Sequence, residues 1–274
     1  MSSDIIESIP GIKNTGSGNF FLIAGPCVIE NIDAPFKVAE TAGNICKRLK
    51  IPYIFKASYR KANRSKLESF TGVGDVKALK VISEIGEEFK VPTLTDIHSE
   101  PEAVVAAEYV DILQIPAFLC RQTDLLVAAA YTGKHINIKK GQFVSPQSMQ
   151  FAVDKVKSSG NDLVMLTERG TSHGYQDLIV DMRSIHWMKQ MGIPVILDVT
   201  HSLQVPNRAE GTSGGHPDLI ETIAKAGIAA GADGLFMEIH PDPSSAKSDG
   251  ENMLRLELLE ELLEKLVKIR KAIV

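Results

Sequence analysis

The sequence has no uninterrupted apolar run of about 18 residues, and its N-terminus, MSSDIIESIPGIKN, has no cationic segment leading into an apolar one. With neither a membrane span nor an export signal, the expected location is the cytoplasm. Cysteine is scarce. Cys27, Cys46 and Cys120 are an odd number with no close CxxC pair, as expected of thiols kept reduced. A functional cysteine must then act alone or as one ligand of a site gathered from distant segments. An excess of one charge is also lacking. Thirty basic against 34 acidic side chains leave a formal net charge of -4, so the chain as a whole offers no basic footprint for nucleic acid or a membrane surface. Internal repeats, low-complexity tracts and linkers are absent too. Gly72-Val73-Gly74 lacks the third glycine of a dinucleotide fingerprint.

What is present is a rhythm. Short β-branched runs ending in polar residues alternate with amphipathic stretches long enough for crossover helices. Eight runs can be counted: 20–27, 53–58, 92–98, 111–117, 135–140, 163–169, 194–201 and 234–240. Their nearly continuous apolar character suits parallel strands covered on both faces. The 274 residues, 44% of them apolar, therefore predict one (β/α)8 TIM barrel spanning 1–274, with 1–19 as a short N-terminal extension. Leu256, Leu259, Leu263, Leu266 and Val267 make one helical stripe near the end, expected to pack an outer helix onto the barrel. Polar stretches at 59–74 and 204–217 read as loops.

A packed barrel keeps its active site at the C-terminal ends of the strands. Here the runs close on Cys27, on Lys56 and Ser58, on Asp96 and His98, and on Gln114. The later four close on Lys139 and Lys140, Glu168 and Arg169, Asp198 and His201, and Glu238 and His240. Lys56, Lys61, Arg64, Lys139 and Arg169 predict a positive mouth for a substrate with several anionic groups, since Lys and Arg suit phosphate and carboxylate oxygens. Cys27, His201 and the strand-eight carboxylate could hold a divalent transition metal. The competing reading is a buried structural cysteine and a hydrogen-bonded histidine. Cys46 reads as core.

The segments AGPCVIE (24–30), FKAS (55–58), KANRS (61–65), TDIH (95–98), LQIPAFLCRQTDLL (113–126), KKGQF (139–143), ERG (168–170), GYQDLIVDMRS (174–184), DVTHS (198–202) and MEIHPDPSSAKSDG (237–250) resemble the 3-deoxy-D-manno-octulosonate 8-phosphate synthases. The likeness runs from about residue 20 to about residue 270, with its motifs in order. It implies a homotetrameric (β/α)8 transferase that condenses phosphoenolpyruvate with arabinose 5-phosphate, in the making of the lipopolysaccharide inner-core sugar.

By the same likeness Lys56, Ser58, Lys139 and Arg169 hold the phosphate and carboxylate of phosphoenolpyruvate, with Gln114, Ala117 and Phe118 lining that pocket. Lys61 lies between the substrates, Asn63, Arg64 and Ser65 grip the sugar phosphate and hydroxyls, and Asp96 contacts the sugar. Arg121 is expected to reach the sugar-phosphate site of a neighbouring subunit. Metal-using members carry cysteine in the first motif where metal-free members carry asparagine. Cys27 thus implies a divalent ion (Zn, Fe(II), Mn or Co) held with His201, Glu238 and Asp249. Lys61, His201 and Asp249 are the candidate catalytic residues.

His173 departs from the phenylalanine common before Gly174, and the 204–217 loop diverges. A sister enzyme that uses erythrose 4-phosphate typically reads KPRTS where this chain reads KANRS. More distant alternatives are a Schiff-base aldolase using Lys56 or Lys139, and a non-catalytic barrel that senses sugar phosphates.

Overall fold

The computed structural model describes residues 2–63, 68–175, 177–205 and 214–274. Eight parallel strands form its centre: β1 (Phe21–Gly25), β2 (Tyr53–Lys56), β3 (Thr93–Asp96), β4 (Ile112–Ile115), β5 (His135–Lys139), β6 (Val164–Glu168), β9 (Val195–Asp198) and β12 (Gly234–His240). Their order follows the chain, and β1 pairs with both β2 and β12, so the sheet closes into a barrel. Closure leaves the eight barrel strands without a free edge. All eight expected runs are strands; β12 fills its run and the other seven are shorter than theirs by one to four residues. The residues left over at the C-terminal ends turn over the mouth.

Helices α2 (Asp33–Leu49), α3 (Asp75–Phe89), α4 (Glu100–Ala107), α5 (Thr123–Tyr131), α6 (Met149–Ser158), α7 (Arg183–Lys189) and α8 (Ile220–Ala229) are the crossovers, and α9 (Leu259–Ile273) closes the ring. Helical spacing explains how they dock. In α2, Val38, Ala39, Ala42, Ile45 and Cys46 are buried on one face, and full burial of each large aliphatic side chain is worth roughly 1.5–3 kcal/mol. The expected stripe on α9 buries Leu259, Leu263, Leu266 and Val267, with Leu262 added and Leu256 in the turn before it.

The N-terminal extension holds helix α1 (Ser2–Glu7), which covers the opposite end of the barrel. Ile6 and Ile9 pack there against a layer that includes Phe21, Ile23, Ile54, Ile112 and Met165. Small pairings decorate the frame: the antiparallel hairpin β7 (Thr171–His173) and β8 (Asp177–Ile179), the two-residue strands β10 (Gln204–Val205) and β11 (Gly214–Gly215), and β13 (Leu254–Arg255) beside β12. None of the described helices is long and apolar enough to cross a membrane.

Candidate active site

Side chains alternate along a strand, so residues two apart share a face. In β2, β3, β4, β9 and β12 the inward face changes from Ile54, Leu94, Ile112, Ile196 and Phe236 to Lys56, Asp96, Gln114, Asp198 and Glu238 within two residues. The second set, apart from Asp198, lines a cavity of about 1500 Å³ at the C-terminal mouth. Ser58, Lys61, Asn63, Ala117, Phe118, Lys139, Arg169, His201 and Asp249 also line it. Every expected substrate residue among those described is therefore at one site. Arg64 and Ser65 lie outside the described residues.

Most of the buried charge in this mouth is paired with an opposite charge, and Arg169 with neutral acceptors. Lys56 Nζ donates to Glu238 Oε1 at 2.8 Å and to the Cys27 carbonyl at 3.0 Å. Gly25 lets the end of β1 lie close against β2, because a Cβ there would stand 2.0 Å from the Lys56 carbonyl oxygen. Lys139 Nζ donates to Asp198 Oδ2 at 2.5 Å and rests 3.6 Å from the centroid of the Phe236 ring. Burial, reinforced by Lys56 and Arg169, pulls the Lys139 ammonium down to about 8 against the pull of Asp198. Burial also opposes ionisation of Glu238, but His201, Lys56 and Lys61 outweigh it and hold the carboxyl well below the usual range. Arg169 Nη2 donates to the His201 carbonyl at 2.9 Å and to Gln204 Oε1 at 2.7 Å. Lys61 Nζ sits 3.8 Å from Asp249 Oδ2 and 3.9 Å from Glu238 Oε1. Burial disfavours that ammonium, yet Cys27, Glu238, Asp249 and Asp96 hold it well above the ordinary lysine value.

Three of the four expected metal ligands meet. Ligand atoms of Cys27, Glu238 and Asp249 lie within 4.8 Å of one another. Cys27 Sγ is 3.2 Å from Asp249 Oδ2 and 3.3 Å from Ser248 Oγ, and burial, then Glu238, raises its thiol well above the ordinary value. His201 stands outside this triad but borders it, with Nε2 3.4 Å from Glu238 Oε1. Its Nδ1 lies 2.7 Å from Asp198 Oδ2, which fixes the ring with Nε2 toward the triad.

Some strand-end residues point elsewhere. Lys140 and Glu168 were expected in the mouth beside Lys139 and Arg169, but alternation turns one of each pair outward. Lys140 Nζ is fully buried among the Gly141 and Gly170 carbonyls and Thr171 Oγ1, and 3.4 Å from Glu168 Oε1. Arg121 belongs to a second cavity of about 600 Å³ with Cys120, Phe143 and Phe151. Cys46 is core, as expected. His173 is exposed in the β7–β8 hairpin. Glu102, on α4, went unnoticed in the sequence although it contacts His98, Tyr59 and Arg60 beside the mouth. Its only sequence signal is Ser99-Glu100-Pro101-Glu102, which suggests a helix start and nothing more.

The DAHP synthetase I family model matches residues 5–274. The chain is 54% identical over 261 residues to a 2-dehydro-3-deoxyphosphooctonate aldolase of Koribacter versatilis, covering 94% of each chain. It is 54% identical over 259 residues to the protein of that name from Desulfotalea psychrophila, covering 94% of this chain and 92% of the other. Over 268 residues it is 48% identical to the one from a Cyanothece species, covering 98% of both.

Proposed function

The chain belongs to the DAHP synthetase I family, and from that premise we propose that it joins phosphoenolpyruvate, D-arabinose 5-phosphate and water into 3-deoxy-D-manno-octulosonate 8-phosphate and phosphate. The observation that carries this reading is near-full-length identity to 2-dehydro-3-deoxyphosphooctonate aldolases, joined to a mouth that gathers Lys56, Lys61, Lys139 and Arg169. KANRS at 61–65 supports the five-carbon sugar over erythrose 4-phosphate. The product serves the lipopolysaccharide inner core. Three unpaired cysteines suit a cytoplasmic enzyme.

In the proposed chemistry Lys56, Ser58, Lys139 and Arg169 bind the phosphate and carboxylate of phosphoenolpyruvate, while Gln114, Ala117 and Phe118 wall its pocket. Asn63, Asp96, Arg64 and Ser65 hold the sugar. C3 of the enol attacks the aldehyde carbon, whose oxygen takes a proton, and Lys61 is the protonated group beside that position. Water then adds at C2 and gives one proton to the Asp249 carboxylate, beside which His201 is oriented; the C2–O bond to phosphate breaks as the remaining C2 hydroxyl becomes the ketone, its proton passing to the leaving phosphate. Holding both reactants in attack geometry can contribute roughly 7–11 kcal/mol.

A divalent ion suits the side chains beneath: a thiol, two carboxylates and an imidazole converge, and Glu238 Oε2 is buried with no hydrogen-bond partner among the described residues. Cys27, His201, Glu238 and Asp249 would hold it, and it would supply Lewis-acid polarisation or orientation of water. A single catalytic unit over 1–274, with 1–19 as its extension, and a homotetramer complete the proposal. Exposed Phe118, Phe143 and Phe151 support subunit contacts, and sedimentation of a fully active monomer would remove the tetramer.

The test is phosphate release from phosphoenolpyruvate with each candidate sugar phosphate, before and after chelation. Strong preference for arabinose 5-phosphate and loss of turnover on chelation, restored by Zn, Fe(II), Mn or Co, are expected. Equal specificity constants for the two sugars would overturn the substrate, and chelator-insensitive activity would overturn the metal.

A further inference from the structure

Besides the ligand triad, a carboxylate–imidazole–carboxylate array borders the mouth. Asp96 accepts from Ser58 Oγ at 2.5 Å, and its Oδ2 lies 3.1 Å from His98 Nε2. The other ring nitrogen, Nδ1, lies 3.0 Å from Glu102 Oε2. Both ring nitrogens thus face carboxylates, and both contacts are hydrogen bonds only if the imidazole carries two protons. Asp96 and His98 line the cavity, whereas Glu102 stands behind its wall.

Helix capping does not account for Glu102. In a capping box the N-cap side chain would bond back to the helix backbone, but Ser99 makes no such bond. Instead Ser99 Oγ donates to Glu102 Oε1 at 2.9 Å and the His98 backbone N–H donates to Oε2 at 3.0 Å. The Tyr59 hydroxyl and the Arg60 guanidinium donate to the same carboxylate. Tyr59 and Arg60 lie between Ser58 and Lys61, so one side chain ties together the segment after β2 and the end of β3.

We propose that Glu102 is a positioning residue for the sugar half of the site: by clamping His98, Tyr59 and Arg60, it sets Asp96 and Lys61 at the reacting aldehyde. The inference rests on the reading that the mouth accepts a sugar phosphate. The groups facing His98 are Asp96 from β3, Glu102 from α4 and the Tyr59 ring from the segment after β2, with Arg60 acting on Glu102 and Lys56 and Lys61 on Asp96. Burial opposes the imidazolium, but hydrogen bonds to Asp96 and Glu102 raise it to about 9. At neutral pH His98 is then a cation between two anions, and its ring orientation is set from both sides.

Glu102→Gln keeps the size of the side chain and removes its charge. In the metal-loaded, full-length enzyme, nitrogen-detected histidine NMR would follow the His98 ring, its signal assigned with His98→Asn. The ring should titrate about one pH unit or more lower. The KM for arabinose 5-phosphate should rise about tenfold while that for phosphoenolpyruvate stays within about twofold, at a nearly unchanged Tm. Arg60→Met, which loosens the clamp from a half-exposed position, should raise the sugar KM about threefold. An unchanged His98 titration, equal rises in both KM values, or a fall in Tm with unaltered kinetics of the folded enzyme would each overturn the proposal. If Glu102→Gln does not fold, an unchanged sugar KM in Arg60→Met overturns it. Wild-type protein that ignores arabinose 5-phosphate would remove the substrate reading instead, and the His98 titration could still be read.

Discussion

Ile54 and Lys56 stand two residues apart on one strand and face the same barrel interior, yet they belong to chemically opposite regions. Ile54 is in the dry layer beneath, with Ile6, Ile9, Phe21, Ile23, Leu94, Ile112, Met165, Ile196 and Phe236. Lys56 is in the mouth, where Lys139 and Glu238 are as buried as the apolar layer is. A thin polar layer divides the two: Asn137 Nδ2 donates to Gln114 Oε1 at 2.9 Å, and Thr167 Oγ1 to Asn137 Oδ1 at 2.8 Å. Apolar burial supplies stability at one end. At the other, desolvation offsets much of what ion pairing returns, so charges there add little to stability. The fold thus assigns stability and chemistry to different storeys of the same strands.

The sharpest way to test that division is to remove a mouth charge. Arg169→Met should lower kcat/KM by about a thousandfold, in the range seen when a pre-organised electrostatic group is lost. Its Tm should stay within a few degrees of the wild type, because the lost bonds to His201 and Gln204 are offset by relief of a buried guanidinium. Phosphate release and calorimetry read the two quantities, and a collapse of Tm would contradict the division. The converse change is Ile112→Ala in the dry layer, expected to cost about 2–5 kcal/mol of stability. Turnover per folded molecule at 25 °C should stay within about twofold, and a large loss of kcat in protein shown to be folded would mean that the layers are coupled.

Much of this architecture is legible in the residues. Each apolar run announces a strand buried on both sides, and its closing polar residue announces the mouth. Alternation also decides what a run alone does not: of Lys139 and Lys140, or Glu168 and Arg169, only one of each pair can face in. Lys140 then finds backbone carbonyls and Glu168 outside the cavity. Asp249 gives no such signal, because it precedes a one-turn helix, with φ of 50°, in the segment after β12. Family likeness alone pointed to it. The β7–β8 hairpin was equally hidden, since its strands bury only Leu178 and carry no apolar pattern. Ile5, Ile6, Ile9 and Ile12 do carry helical spacing within the extension, but spacing cannot say which surface such a segment covers.

The smallest predicted effect lies at a histidine of the lower end. His135 opens β5 in a buried position, with Nε2 2.9 Å from Ser8 Oγ and 3.2 Å from the Ile5 carbonyl, so it joins the barrel to the segment that carries α1. Burial lowers its pKa, assisted by Lys134 and opposed by the Ile5 carbonyl and Asp111. The unfolded chain, with an imidazole near its ordinary pKa of about 6.5, therefore binds a proton before the folded chain does. Above that pH both states are neutral and His135 gives stability no slope. As pH falls from there through the depressed folded value, the unfolded state holds more protons and stability is lost. His135→Gln keeps a hydrogen-bonding side chain without the titration, so its Tm should fall less on going from pH 7 to pH 5. The difference from the wild type should be roughly 1–3 °C, with the turnover of folded enzyme at pH 7 unchanged. Parallel Tm curves for the two proteins would show that the lower end is electrostatically silent and would make the contrast with the mouth sharper still.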